Sequence, residues 1–393
     1  MDFYLQYGGY LAKLLSSLIN EEAPPAPSFE IDWEKFFDFC RHHKVENMVY
    51  VALKKLNIVP TDTLKKFAGA IARMCVAEAK QEIFSHQLFS GFENAKVAYI
   101  PLKGIVIKKL YPVENYRTSN DIDVLVKIED FQKAENVLKN LGYTPGEEGN
   151  RDNDYHIVYS KGVVHIELHS HLTPRDSLQR DYFDFAFHRA IADNDSQYRF
   201  LMTDEDLYIY TLYHLYKHFV KGGVGVRYFL DVFLMQKKLS LDMAYVENEL
   251  DKIGLKAFSK TVTELSQVFF DNKEMDNRLE ELAGFVYVSG AHGATPFYVV
   301  SKFSGEGTSK NNTLINKIKF YYDSWFIGRK AMSIRYPILN KYGFLLPFCY
   351  FHKGLYTLFC KPKAIKREAD KMVNVYNKKA QEYVESINRL AGL

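Results

Sequence analysis

Asp121-Ile122-Asp123-Val124-Leu125-Val126 is the stretch on which the fold turns. Its β-branched and leucine residues favour an extended strand. In a strand, residues i and i+2 point to one face. Asp121 and Asp123 therefore project together while Ile122 and Val124 pack behind. Two carboxylates that close repel unless a cation or a proton separates them. Mg²⁺ is the natural partner, because it takes oxygen ligands and keeps room for substrate phosphates.

Outward from this strand the sequence reads as a small α/β unit. Val97 to Leu102 is a short apolar run closed by Lys103-Gly104, and Ile105 to Tyr111 reads as a helix. Ile128 to Leu141 is amphipathic and ends at Gly142, a C-terminal helix signal. Asp154 to Ser160 and Val163 to His171 read as a hairpin around Lys161-Gly162. In the second arm Val164, Ile166 and Leu168 form a core face, and His165, Glu167, His169 and His171 lie on the other. Glu167 is then a third carboxylate on a neighbouring strand, and three such groups can hold two metal ions that clamp attacking and leaving oxygens. The same alternation offers a rival, a zinc site of His165, His169 and His171. That rival gives Asp121 and Asp123 no task. Upstream, Gly104 lets backbone approach a phosphate at a helix start, and Lys103 adds a point charge. Arg117 carries a planar fork suited to phosphate or carboxylate.

The flanks are helical. Asp32 to Cys40, Val45 to Leu56 and Asp62 to about Phe92 read as helices, the last with Leu64, Phe67, Ile71, Met74, Cys75 and Leu88 as one buried stripe. Thr203-Asp204-Glu205-Asp206 opens a further helix in capping-box style. That helix carries His214, Lys217 and His218, ends at Gly222-Gly223-Val224-Gly225, and is followed by a helix from Arg227 to Gln236. Lys217 and Arg227 are candidate phosphate or acceptor contacts. The competing reading of Arg227 is an i, i+4 bridge to Asp231. Ser301 to Asn312 reads as a loop. Three regions result: helical residues 1–96, an α/β core over 97–175, and helical residues 176–393.

The whole chain of 393 residues is 47% hydrophobic and 25% charged, which excludes global disorder. A net charge of +3 argues against an extended nucleic-acid partner. Four cysteines without a CxxC pattern suit reduced thiols in a cytoplasmic protein. The N-terminus lacks a basic leader, and no run of about 18 uncharged apolar residues predicts a membrane span.

Strand-Lys-Gly-helix, then Arg-x-x-x-Asp-x-Asp, then a strand with a single Glu resembles the nucleotidyltransferase superfamily. "IPLKGIVIKKLYP", "RTSNDIDVLV" and "HIELHSHL" resemble the bacterial uncharacterised nucleotidyltransferase family 5. "FCRHHKVENMVYVAL" and "LYHLYKHFVKGGVGVRYFLDVFLM" resemble its flanking segments. The resemblance implies an α+β fold, with a polymerase-β-like mixed sheet embedded between N-terminal and C-terminal helical regions. It implies nucleotidyl transfer from a nucleoside triphosphate, dependent on Mg²⁺ or Mn²⁺. Asp121, Asp123 and Glu167 would hold metal. Lys103, Gly104 and Arg117 would hold the triphosphate, with Arg117 at the rim. His169, Lys217, His218 and Arg227 are candidate substrate contacts. The acceptor, a small molecule, a protein or an RNA end, carries no readable motif. Two alternatives stand beside this: a non-catalytic nucleotide-binding scaffold and a zinc hydrolase. Repulsion between the acids also leads to the expectation that Asp123→Asn leaves the metal-free protein as stable as before, or slightly more so.

Overall fold

The computed structural model describes residues 2–119, 121–146, 155–291, 338–360 and 378–393, with six single or paired positions between 293 and 336. The Ser301 to Asn312 loop lies outside the described residues, as does Asp154 at the start of the expected hairpin. The N-terminal helices are α1 (Asp2–Ile19), α2 (Trp33–His42), α3 (Glu46–Leu53) and α4 (Thr61–Ala95). Asp32 caps α2 by accepting from the Lys35 amide, one of the orphan donors at a helix start. The central unit runs β1 (Tyr99–Pro101), α5 (Gly104–Ile107), β2 (Asp121–Val126), α6 (Phe131–Asn140), β3 (Thr144–Pro145), β4 (His156–Lys161) and β5 (Val164–His169). Short helices α7 (Arg180–Asp184) and α8 (Ala186–Arg189) lead to a two-strand ribbon of β6 (Ile191–Ala192) and β7 (Phe200–Leu201). Then come α9 (Asp204–Gly222), α10 (Val226–Lys238), α11 (Met243–Lys252), α12 (Lys256–Phe270) and α13 (Asn277–Ser289). Helices Ile338–Lys341, Leu346–Cys360 and Lys378–Leu390 complete the described chain. Among the described residues no helix is long and apolar enough to cross a membrane.

The fold class is α+β. Five strands form one mixed sheet in the order β1-β2-β5-β4-β3. β1 and β2 are antiparallel, β2 and β5 parallel, and β5 and β4 antiparallel. Alternation assigns each residue its face. Ile122, Val124 and Val126 of β2 and Ile166 and Leu168 of β5 are buried in one core with Leu88 and Phe92 of α4 and Ala134 and Leu138 of α6. The opposite face of β2 and β5 carries the odd-numbered residues. Register sets Asp121 against His165, Asp123 against Glu167, and Leu125 against His169.

A second, larger core joins helices from both flanks. Leu11 and Leu15 of α1, Phe36 of α2, Phe229 of α10 and Phe285 of α13 all belong to it. α4 serves both cores: Phe67 and Ala70 enter the helical core, and Leu88 and Phe92 the sheet core. Its middle turns cross the gap between them. For that reason the expected stripe is interrupted, and Cys75 is exposed.

Candidate active site

The site begins with backbone. After β1 the chain turns at Lys103 with φ 50° and ψ −115°, a conformation that costs a residue bearing a Cβ about 1–3 kcal/mol. That turn throws the Lys103 side chain under the sheet's polar face. Its Nζ donates to Asp123 Oδ1 at 2.6 Å and lies 3.7 Å from Glu167 Oε2. The His169 Nε2 atom sits 3.2 Å from the same Asp123 oxygen and 3.3 Å from Glu167 Oε2. Asp123 and Glu167 thus converge on a position that holds a cation, the lysine ammonium. On the next strand, His156 Nε2 lies 4.0 Å from Glu167 Oε2.

Asp121 faces the same cleft two residues before Asp123, and its Oδ1 accepts from Ser119 Oγ at 3.0 Å. The cleft has a volume of about 340 Å³. Burial opposes ionisation of Glu167, but the His169 hydrogen bond and the Lys103 charge reverse this and hold its carboxyl well below the usual range. Burial likewise opposes the charge on Lys103, and Asp123 beside it raises that amine well above its ordinary value. Asp123 thus has a cation beside it that the expectation for Asp123→Asn did not include. The repulsion is relieved by Lys103, and Asp123 is part of a buried ion pair.

Other expected residues occupy places that the sequence did not indicate. Arg117 lines the cleft yet is buried, not at its rim. Its Nε and Nη2 donate to the two oxygens of Asp231 at 2.8 and 2.9 Å, and Tyr111 adds a hydrogen bond at 2.7 Å. Asp231 is thereby taken from Arg227, and the i, i+4 bridge does not form: Arg227 Nη1 donates to the Thr118 carbonyl at 2.6 Å. Gly104 is required by packing. A Cβ there would stand 2.7 Å from both Arg117 Nη1 and Ser119 Oγ. His169 is only 1% exposed and reaches the cleft through Asp123 and Glu167. Lys217, His218 and Arg227 do line the cleft.

The zinc set of the sequence reading does not assemble. His165 is exposed at the far end of β5, where it meets Ser160, and His171 lies past the strand beside Ser170. Among the described residues, the group of three His, Cys, Asp or Glu side chains close enough together to share an ion is His156, Glu167 and His169; Asp121 and Asp123 stand outside it, and the Lys103 ammonium fills the position between Asp123 and Glu167. Strand alternation was correct for these histidines, but residues four apart in a strand are roughly 13 Å apart.

Several lining residues carried no sequence signal. His156 starts β4 and meets His169 only through antiparallel register. Lys44, with φ 54°, enters from the turn after α2. His214 and Lys221 share the α9 face that bears Lys217 and His218. That face was legible from helical spacing once the helix was known to border the cleft.

Paired carboxylates on adjacent strands, a lysine between them and a basic wall are a setting for phosphate chemistry. Comparison with known proteins gives that chemistry its family. No curated protein sequence matches the chain. Two solved structures are similar. One is the solution structure of the antibiotic-resistance factor ANT(2'')-Ia, at 14% identity and TM-score 0.33, covering 44% of this chain and 89% of that one. The other is ANT(2'')-Ia in complex with adenylyl-2''-tobramycin, at 14% identity and TM-score 0.34, covering 44% and 97%. The family model described as an uncharacterised nucleotidyltransferase matches residues 30–271, from the N-terminal cap of α2 through the sheet to the end of α12, and the chain belongs to that nucleotidyltransferase family.

Proposed function

We propose that the protein transfers a nucleotidyl group from a nucleoside triphosphate to a hydroxyl acceptor in the Asp121–Asp123–Glu167 cleft. The observation that carries this is the convergence of Asp123 and Glu167 on one cation, with Asp121 in the same cleft. The donor set is oxygen-rich and already encloses a positive charge, so it suits Mg²⁺ or Mn²⁺. Asp121, Asp123 and Glu167 would hold the ion once the Lys103 ammonium yields its place and the two aspartates draw toward Glu167, and the ion when bound neutralises the triphosphate and polarises the reacting phosphate. Lys103 would then swing from the carboxylates to the phosphates, keeping its charge throughout. Gly104 leaves room for Arg117 Nη1, the one guanidinium nitrogen that Asp231 does not engage, to face the cleft. Lys217, His218 and Arg227 are the proposed substrate contacts on the opposite wall, and His169 positions both carboxylates.

In the reaction the acceptor oxygen bonds to the α-phosphorus, and the bond from that phosphorus to the bridging oxygen breaks. Pyrophosphate leaves with those electrons. Glu167, held ionised, accepts the hydrogen bond of the attacking hydroxyl, whose proton passes to water. We place this activity in the cytoplasm, in keeping with the free thiols of Cys40, Cys75 and Cys349. The test is incubation with each of four α-³²P nucleoside triphosphates and Mg²⁺ or Mn²⁺ in the presence of metabolites, proteins or RNA. Transfer of label that Asp123→Asn abolishes supports the reading. Nucleotide binding without transfer under any of these conditions would favour a non-catalytic scaffold.

A further inference from the structure

The nucleotidyl reading leaves the acceptor open, and one face of α9 narrows it. His214, Lys217, His218 and Lys221 follow i, i+3, i+4, i+7 spacing and all border the cleft. No carboxylate shares that face. Lys217 Nζ lies 5.6 Å above the Tyr155 ring. Among the described residues no carboxylate lies within ion-pair distance of it, and Glu167 and Asp123 act on it only across the cleft. Burial and then the charge of Lys103 bring this amine down to about 8, and burial and then Lys217 bring His218 down to about 3. A half-buried cation with no ion-pair partner among the described residues, facing a cleft, favours the approach of an anion.

The face meets the cleft at the edge where β4 begins. Across the sheet the order is β1, β2, β5, β4. Lys103 and Gly104 follow β1, whereas Tyr155 directly precedes β4 three strands across, and the Lys103 ammonium reaches back from its turn to within 3.7 Å of Glu167 Oε2. Tyr155 packs on His156 with ring centroids 4.4 Å apart, and His156 adjoins Glu167. Lys217 therefore stands with Tyr155 and His156 on the side of Glu167 away from Gly104, beside the carboxylate to which the proposed reaction gives the attacking hydroxyl. In all, the cleft lining has six lysines and arginines against four carboxylates. We infer that Lys217, with His218 beside it, docks an anionic group of the acceptor, so that the acceptor class is a small hydroxyl compound bearing a phosphate or carboxylate. This inference rests on the nucleotidyltransferase reading.

The experiment is calorimetry on the full chain with Mg²⁺ and saturating α,β-methylene nucleoside triphosphate, the four bases tried in turn. Inorganic phosphate, glucose 6-phosphate, glucuronate and glucose are then titrated. The anions are expected to bind with nucleotide in place, and glucose is not. Lys217→Met should weaken anion binding by about tenfold or more while nucleotide affinity holds, and Lys217→Arg should restore it, as expected for a charge-assisted contact. Preference for glucose 6-phosphate over glucuronate assigns a phosphate, and the reverse assigns a carboxylate. Exclusion of the anions by nucleotide, or parallel loss of nucleotide affinity in Lys217→Met, would give Lys217 to the triphosphate and overturn the inference. Glucose binding as well as its phosphate would also overturn it. If no nucleotide binds, the proposed function fails on its own account. Titration without nucleotide then still decides whether Lys217 binds anions, and the acceptor assignment falls with the function.

Discussion

At the scale of residues, Lys103 organises the site. Its ammonium bridges Asp123 and Glu167, and all three side chains are largely buried. Removing one partner of a buried pair leaves a charge uncompensated. Asp123→Asn should therefore destabilise the metal-free protein by roughly 2–3 kcal/mol, toward the low end for such a loss because Glu167 stays near the amine. A urea titration checks this, and an unchanged midpoint would show that Lys103 finds another partner. The three carboxylates were legible in the sequence, because a period of two assigns faces without knowledge of the fold. The position of Lys103 was not. It depends on one backbone turn with positive φ that no local pattern signals. His156 was hidden for a different reason: its contact with His169 is a product of register between strands.

At the scale of elements, boundaries were easier to read than partners. Asp32 and Thr203 cap α2 and α9 as their side chains suggest, each accepting a backbone amide. The expected box at α9 is half formed, since the Asp206 carboxylate turns to Arg189 and Tyr182. Asp231 shows why local spacing misleads. Arg227 is four residues away on one helix, but the buried Arg117, 114 residues distant, takes both carboxylate oxygens. This pair fastens α10 to the segment that enters β2. Asp231→Ala should cost about 3–5 kcal/mol, because it strands the Arg117 charge in the interior. Arg117→Met in the Asp231→Ala background should recover part of that loss, as a double-mutant cycle would show. Equal destabilisation in both backgrounds would mean that the two residues act independently.

At the scale of the whole molecule, the N-terminal and C-terminal helices share one core. The sequence separated these regions but offered no sign that they meet, since each contributes apolar stripes that fit many partners. His43 is a fastening point between them. Its Nδ1 accepts from the Val226 amide at 3.3 Å, and its Nε2 faces the Tyr287 carbonyl at 3.1 Å. That arrangement needs a neutral ring, and burial pushes its pKa down to about 3. The sign follows from linkage: between about pH 6.5 and 3 the unfolded chain binds a proton that the folded chain refuses. Stability should fall as pH drops through that window, with His218 acting in the same direction. Thermal melting at pH 7.5, 6.5 and 5.5 checks this, and a midpoint constant across the series would contradict a buried neutral His43. Both cores serve the cleft between them, in which Asp123 and Glu167 are proposed to form a cation site for a bound triphosphate. Calorimetric titration of nucleoside triphosphate, with and without Mg²⁺, into the wild type and Glu167→Gln tests that most directly. Binding is expected to require Mg²⁺ and to weaken by about tenfold or more in the variant, whose fold Lys103 and Asp123 should preserve. Equal affinity with and without Mg²⁺, or in the two proteins, would contradict it.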